Sequence, residues 1–402
     1  MSSHSPSARS PSTNRIRSGR EVFGEFELAP DRVHLNHGSF GAIPRVVAAE
    51  QERWRAHIER DPTGFYTYEL PDLMRATAAQ VAARLGGDAK DWVLCENATA
   101  AFNGVLASLR LKPGDEIVTT SHAYGAILKA MQALAARQEA CVVVAQVPPI
   151  LENEDEVVEA VGRALGPRTR LLVIDHITSA TAVIFPVRRL VDLAHGMGIP
   201  VFLDGAHAPG QIALDVPTVG ADWYTGNAHK WLFTPRGCGL LWTTPSRQSE
   251  TFPAVLSHGT DKGYSAAFDW IGTRDVTPWL CFEAGARAHD GFGGPSLIEH
   301  NRELAKEGVA IIAEALGGVV SAPPAMRAAM ASLRFGDLPV DAAAAAALRK
   351  SLQQRHQITA PVHAFDGNLW LRISAQVYNE STDYERCAAT FRMAAKALGL
   401  VP

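Results

Sequence analysis

No apolar run in the 402-residue chain approaches the ~18 residues needed to span a bilayer. Cysteine is scarce and unpaired. Cys95, Cys141, Cys238, Cys281 and Cys387 are odd in number and form no CxxC, which excludes a disulfide framework or zinc ribbon as the organising feature and fits a reducing compartment. Charge of one sign is not in excess either. Lys plus Arg number 38 and Asp plus Glu 42, a net of -4, which argues against a general nucleic-acid binder. No repeat recurs at a period of 20–50 residues. No G-x-G-x-x-G opens the first helix, and Gly205 to Gly210 lacks the middle glycine, so a dinucleotide-binding dehydrogenase is disfavoured. What is present is an ordinary globular composition, 47% apolar and 20% charged, long enough for two or three domains of roughly 150 residues. The cytoplasm is the expected location.

Residues 1–20 hold seven Ser, four Arg and no acid. They read as a disordered tail, with a transit peptide as the alternative. Residues 21–45 are expected to form a segment packing on a small C-terminal domain. From residue 46 to about 290 helix and strand alternate. WVLCE (92–96), EIVTT (116–120), CVVVAQV (141–147), RLLVIDH (170–176) and PVFLDGAH (200–207) are short apolar strands, and GCGLLWTT (237–244) is another. Helices are predicted over 45–60, 73–85, 97–111, 125–137, 155–165 and 188–197. This pattern means an α/β domain with a mostly parallel sheet covered on both faces. Residues 291–402 read as a smaller α+β domain, with helices over 298–316, 341–356 and 382–398 and a strand at NLWLRIS (368–374).

In an open parallel sheet ligands bind beyond the carboxyl ends of the strands. Reactive side chains are concentrated there: Asn97 and Thr99; Ser121, His122 and Tyr124; His176, Thr178 and Ser179; Asp204 and His207; Asn227, His229 and Lys230. Asp204 ends an apolar strand, an expensive position unless a helix N-terminus or a cationic partner receives it. Lys230 stands between His229 and Trp231, where a partly desolvated amine can be neutral often enough to form a Schiff base. Asn97-Ala98-Thr99 opens a helix whose free N–H groups suit a phosphate. A phosphate cradle, a carboxylate and a lysine are together what pyridoxal 5'-phosphate (PLP) requires.

Asp204-Gly-Ala-His207, Asn227-Ala-His-Lys230 and Pro235-Arg-Gly-Cys-Gly239 resemble the class V aminotransferase family of fold-type I PLP enzymes. LNHGSFG (35–41), ENATAAFN (96–103), SHAYGA (121–126), DHITSATAVIFPV (175–187), WIGTRD (270–275) and LRISAQVYN (371–379) follow in the family's order. LNHGSFG, HITS, GNAHKW and GTRD are most similar to the isopenicillin N epimerase subgroup. The resemblance implies that Lys230 carries the cofactor and Asp204 pairs with its ring nitrogen. His207, in place of the usual Gln, would bond the phenolic oxygen. Ala98, Thr99 and His229 would hold the phosphate, with Asn227 where a Ser is common. Thr273 would reach the partner subunit's phosphate, which implies a homodimer. Arg372 would clamp the substrate carboxylate beside Ser179. Asn36 and His37 belong to a loop resembling a substrate-site loop, and His122 or Tyr124 would cover the ring and serve as an acid–base group. Arg274 would bind a distal carboxylate or form an intersubunit salt bridge. His176 reads as a supporting or core histidine, and Tyr66 and Tyr68 as residues of a loop after Pro62 that wall the pocket or merely pack.

The reaction is less readable. Segment 357–371 has no Cys, so desulfuration through a persulfide is disfavoured. Epimerisation at Cα, β-elimination of a sulfur group as in hercynylcysteine sulfoxide lyases, and transamination remain. The resemblance favours epimerisation, acting on a small-molecule amino acid.

Overall fold

The computed structural model describes residues 16–336 and 340–400. Of the expected tail, residues 1–15 lie outside the described residues. Residues 16–20 belong with the folded body: the Gly19 N–H donates to the Val377 carbonyl at 2.7 Å, and a short helix begins at Arg20.

The central sheet has seven strands, in the order Trp92–Cys95, Gly239–Thr243, Trp223–Asn227, Val201–Gly205, Thr169–Asp175, Glu116–Thr120 and Cys141–Ala145. Gly239–Thr243 runs antiparallel to both its neighbours, and the remaining pairings are parallel. The strand residues are apolar without alternation because both faces are covered. One face packs Leu94, Val118, Leu172, Ile174, Leu203 and Leu240 into the main core, and the other turns Val93, Ile117, Leu171, Val173, Phe202 and Leu241 to a second. A fully buried side chain of this kind contributes about 1.5–3 kcal/mol.

A second, antiparallel sheet has four strands, Val362–Phe365, Asn368–Ser374, Met330–Phe335 and Val319–Val320, and helices Pro295–Leu316, Ala342–Arg355 and Ser381–Ala397 pack around it. Val33–His34 pairs in parallel with Ile358–Thr359 beside it. No helix among the described residues is long and apolar enough to cross a membrane.

The stretch after Pro62, expected as a loop, is helical. Pro62–Gly64 leads into a π-helical turn, Phe65–Glu69, and then into Leu70–Leu85. Pro62 lies in the first turn of this run, where its missing N–H had no helical acceptor, and Pro71 directly follows the π-helical turn. Asp61 caps the start by accepting the Gly64 N–H at 2.9 Å. Farther along, Tyr264–Asp269 is a short helix.

Candidate active site

The carboxyl ends of the central strands open into a cavity of about 440 Å³. Its floor begins with Asp204, which is 4% exposed at the end of its strand. Burial raises the affinity of this carboxyl for a proton, and the Ala206 N–H, donating to Oδ1 at 2.9 Å, and Lys230 oppose that. Asp175 stands beside it in register on the neighbouring strand and lines the same cavity. Burial, then the charge of Asp204, pushes the Asp175 carboxyl well above the usual carboxylate range. Sequence reasoning missed Asp175, because in RLLVIDH it reads as the polar end of an apolar strand.

Lys230 lies in the one-turn helix Ala228–Trp231. Its Nζ is 3.1 Å from His207 Nε2. Burial pulls the amine from 10.5 down to about 7, against the attraction of Asp204. The His207 Nδ1 is buried without a hydrogen-bond partner.

Helix Ala98–Ser108 points its N-terminus into the cavity. Asn97 caps it by accepting the Ala100 N–H at 3.0 Å, and Asn227 Oδ1 accepts the Ala98 N–H at 2.9 Å. Asn227 therefore fixes the helix end itself. A Cβ on Gly239 would sit 2.5 Å from the Asn97 Cα, so only glycine lets the strand approach the cap this closely. Thr99 and His229 complete this wall. The His229 Nδ1 donates to the Cys238 carbonyl at 3.1 Å, which leaves Nε2 as the ring atom free of that bond.

Arg372 is 4% exposed and meets only neutral acceptors: Ser179 O at 2.6 Å, Ser179 Oγ at 3.3 Å, Asn36 Oδ1 at 3.1 Å and Ser39 Oγ at 2.8 Å. Its guanidinium has no carboxylate partner among the described residues. Ser39 and Ser179, not Arg372, line the cavity, so these two serines stand between it and the guanidinium. Tyr124 lies at the lip, 48% exposed, and Phe40 beside it is 69% exposed.

A family model, "Aminotransferase class-V", matches residues 36–386. The chain belongs to the class-V aminotransferase family. It is 32% identical to isopenicillin N epimerase of Streptomyces clavuligerus, over 92% of this chain and 96% of that protein. It is 31% identical to an L-cysteine desulfhydrase of Arabidopsis thaliana, over 88% and 85%. In fold it is similar to the cystine C–S lyase C-DES, solved with its product cysteine persulfide, with a TM-score of 0.78 at 19% identity over 93% of this chain and 99% of that one.

The cofactor of this class-V family member is pyridoxal 5'-phosphate, and the residues present fit it. Asp204 is a buried carboxylate short of a cation, as a protonated ring nitrogen would supply. The His207 ring has an orphaned Nδ1 and sets its Nε2 beside an amine brought to about 7, and the capped helix end with Thr99 and His229 suits the phosphate.

Two expected site residues stand elsewhere. His122 is buried away from the cavity: its Nε2 donates to the Pro148 carbonyl at 3.0 Å, and its Nδ1 accepts from Thr181 Oγ1 at 2.7 Å. Both nitrogens are occupied, so the ring is structural. His37 is fully buried, with Nε2 donating to the Lys230 carbonyl at 2.8 Å and Nδ1 accepting from the Tyr378 hydroxyl at 2.9 Å. It anchors the backbone of the lysine and does not touch the cavity. Thr273 is exposed and outside the walls of its own chain's cavity. Arg274 is engaged internally with Glu96 at 2.9 Å and over the Trp279 ring, so a distal-carboxylate role is not supported. The His176 Nδ1 lies 2.8 Å from the Tyr224 hydroxyl, in the core. Tyr66 donates to the Arg274 carbonyl at 2.9 Å, and Tyr68 is exposed.

Proposed function

We propose that the protein epimerises an amino-acid substrate at Cα. One observation supports this reading: two protic side chains line the same cavity from strands separated by two others in the sheet. Lys230 follows the strand Trp223–Asn227 and Tyr124 follows Glu116–Thr120, with the Asp204 and Asp175 strands between them. With His122 withdrawn, Tyr124 is the group left to face Lys230. Its hydroxyl makes no hydrogen bond among the described residues, and it lies within electrostatic reach of the Arg372 guanidinium.

Bound PLP supplies the electron sink that makes Cα acidic. Lys230, near neutral pKa, is matched to take the Cα proton on its own side. Asp204 keeps the ring nitrogen protonated, and His207 donates toward the phenolic oxygen. Ala98, Thr99, Asn227 and His229 orient the phosphate, with Thr273 of each subunit reaching the other site in a cytoplasmic homodimer. Arg372 receives the carboxylate beside Ser179 and Asn36. Tyr124 returns a proton from the other side, which inverts the centre.

Elimination of a β-substituent is the second reading. It needs Lys230 alone as base, and the 31% identity to a desulfhydrase supports it. The deciding experiment follows L- and D-amino acids and cysteine S-conjugates in D₂O, with chiral chromatography and keto-acid detection. An epimerase yields the enantiomer, and Tyr124→Phe still exchanges deuterium with retention while inversion fails. Stoichiometric keto acid with no enantiomer from any substrate would replace this reading with the lyase.

A further inference from the structure

Away from the cofactor site, Arg327 presents an unsolved charge. It is 8% exposed, its Nε is buried without a partner, and among the described residues its side chain has no ion pair or hydrogen bond. Lysines and arginines are seldom buried unless paired, because an uncompensated buried charge is destabilising. Burial and the neighbouring Arg302 both weaken the hold of Arg327 on its proton, yet a guanidinium remains charged at neutral pH. The residue therefore needs an anion that the chain itself does not provide.

The surroundings indicate which anion. Arg327 lines a cavity of about 140 Å³ with Arg302, Glu303, Lys306, Pro324 and Ala328. Helix Pro295–Leu316 presents Arg302 and Lys306 one turn apart, and the turn Pro324–Met326 brings Arg327 against them. Glu303, the one carboxylate on the wall, is 2.8 Å from Lys306, and an Arg302 donor reaches the Pro324 carbonyl at 3.5 Å. Three cations and one carboxylate leave a local charge of +2. The volume equals that of four or five waters at ~30 Å³ each, which admits a tetrahedral oxyanion. We propose that Arg302, Lys306 and Arg327 form a binding site for a small dianionic oxyanion such as inorganic phosphate or sulfate, separate from the cofactor's phosphate site. Arg327 supplies the forked donors, and Arg302 and Lys306 supply the remaining charge. No residue of this wall is shared with the cofactor cavity.

The test uses PLP-loaded enzyme, so that the cofactor's own phosphate site is filled. Sulfate, phosphate and acetate are titrated calorimetrically at constant ionic strength in a chloride buffer. Sulfate and phosphate should bind saturably at the Arg327 cavity, and acetate at least tenfold more weakly. Arg327→Met should weaken sulfate binding at least tenfold, and Arg302→Gln several-fold. In sulfate-free buffer Arg327→Met should melt no lower than wild type, and saturating sulfate should raise the Tm of wild type alone. If Arg327→Met does not fold, Arg302→Gln and Lys306→Gln carry the comparison. No saturable binding by wild type, acetate binding as tight as sulfate, or wild-type sulfate affinity in the variants that fold would each overturn the proposal.

Discussion

Replacing Asp204 by Asn keeps the shape of the side chain and removes its charge, and the effect on Lys230 follows from the structure. Burial lowers the Lys230 amine from 10.5 to about 7, and Asp204 is the foremost charge opposing that shift. That displacement corresponds to desolvation, net of attraction, on the order of 5 kcal/mol. A substantial share of Lys230 amines is therefore neutral at pH 7, where an unperturbed lysine is almost wholly charged. Removing the nearby anion disfavours the ammonium further, so in Asp204→Asn the midpoint should fall below about 7. The assay is acylation of Lys230 in the cofactor-free protein across pH, read by peptide mass spectrometry. In the same variant turnover should fall about 10²-fold or more through loss of the ring-nitrogen partner. A linked sign is checkable. The folded chain releases this proton near pH 7 and the unfolded chain near 10.5, so the Lys230 contribution to stability rises between those values and its penalty is complete below 7. A wild-type midpoint close to 10, or an upward move in Asp204→Asn, would refute the reasoning.

Other perturbations bear on separate parts of the site. Arg372→Lys removes the fork that meets Ser179, Asn36 and Ser39, and kcat/KM should drop about 10- to 100-fold, mostly through KM. Gly239→Ala drives a Cβ into the Asn97 backbone, and PLP affinity should weaken at least tenfold with a lower Tm; equal affinity would show that the helix end is not the cradle. His34, His37, His122, His176, His229 and His363 are held by burial at about 3 to 4. The unfolded chain takes up protons first, near 6.5, so stability should be lost as pH falls from 6.5 toward 4. A urea midpoint unchanged between pH 8 and 4.5 would contradict that.

Much of the scaffold was legible because strand ends announce themselves. EIVTT and NLWLRIS are the observed strands Glu116–Thr120 and Asn368–Ser374, and Asn97 caps the helix its sequence predicts. Asp204 and Lys230 stood out as charges in apolar company. What stayed hidden depends on contacts between distant segments. His122 faces away from the cavity because Thr181, 59 residues on, and Pro148 claim its nitrogens. His37 looked like a substrate ligand until Tyr378 and the Lys230 carbonyl closed around it. Asp175 matters because its strand is in register with that of Asp204, and pairing register is not visible in a single strand. The helical run after Pro62 was obscured by that proline, whose first-turn placement is a matter of phase.

The central claim is that Lys230 moves the Cα proton of an amino acid in this cavity. Its most direct test is deuterium incorporation at Cα of an accepted substrate in D₂O, comparing PLP-loaded wild type with Lys230→Ala. Wild type should incorporate solvent deuterium at Cα, and Lys230→Ala should be slower by several decades. Exchange in Lys230→Ala at the wild-type rate would contradict the account.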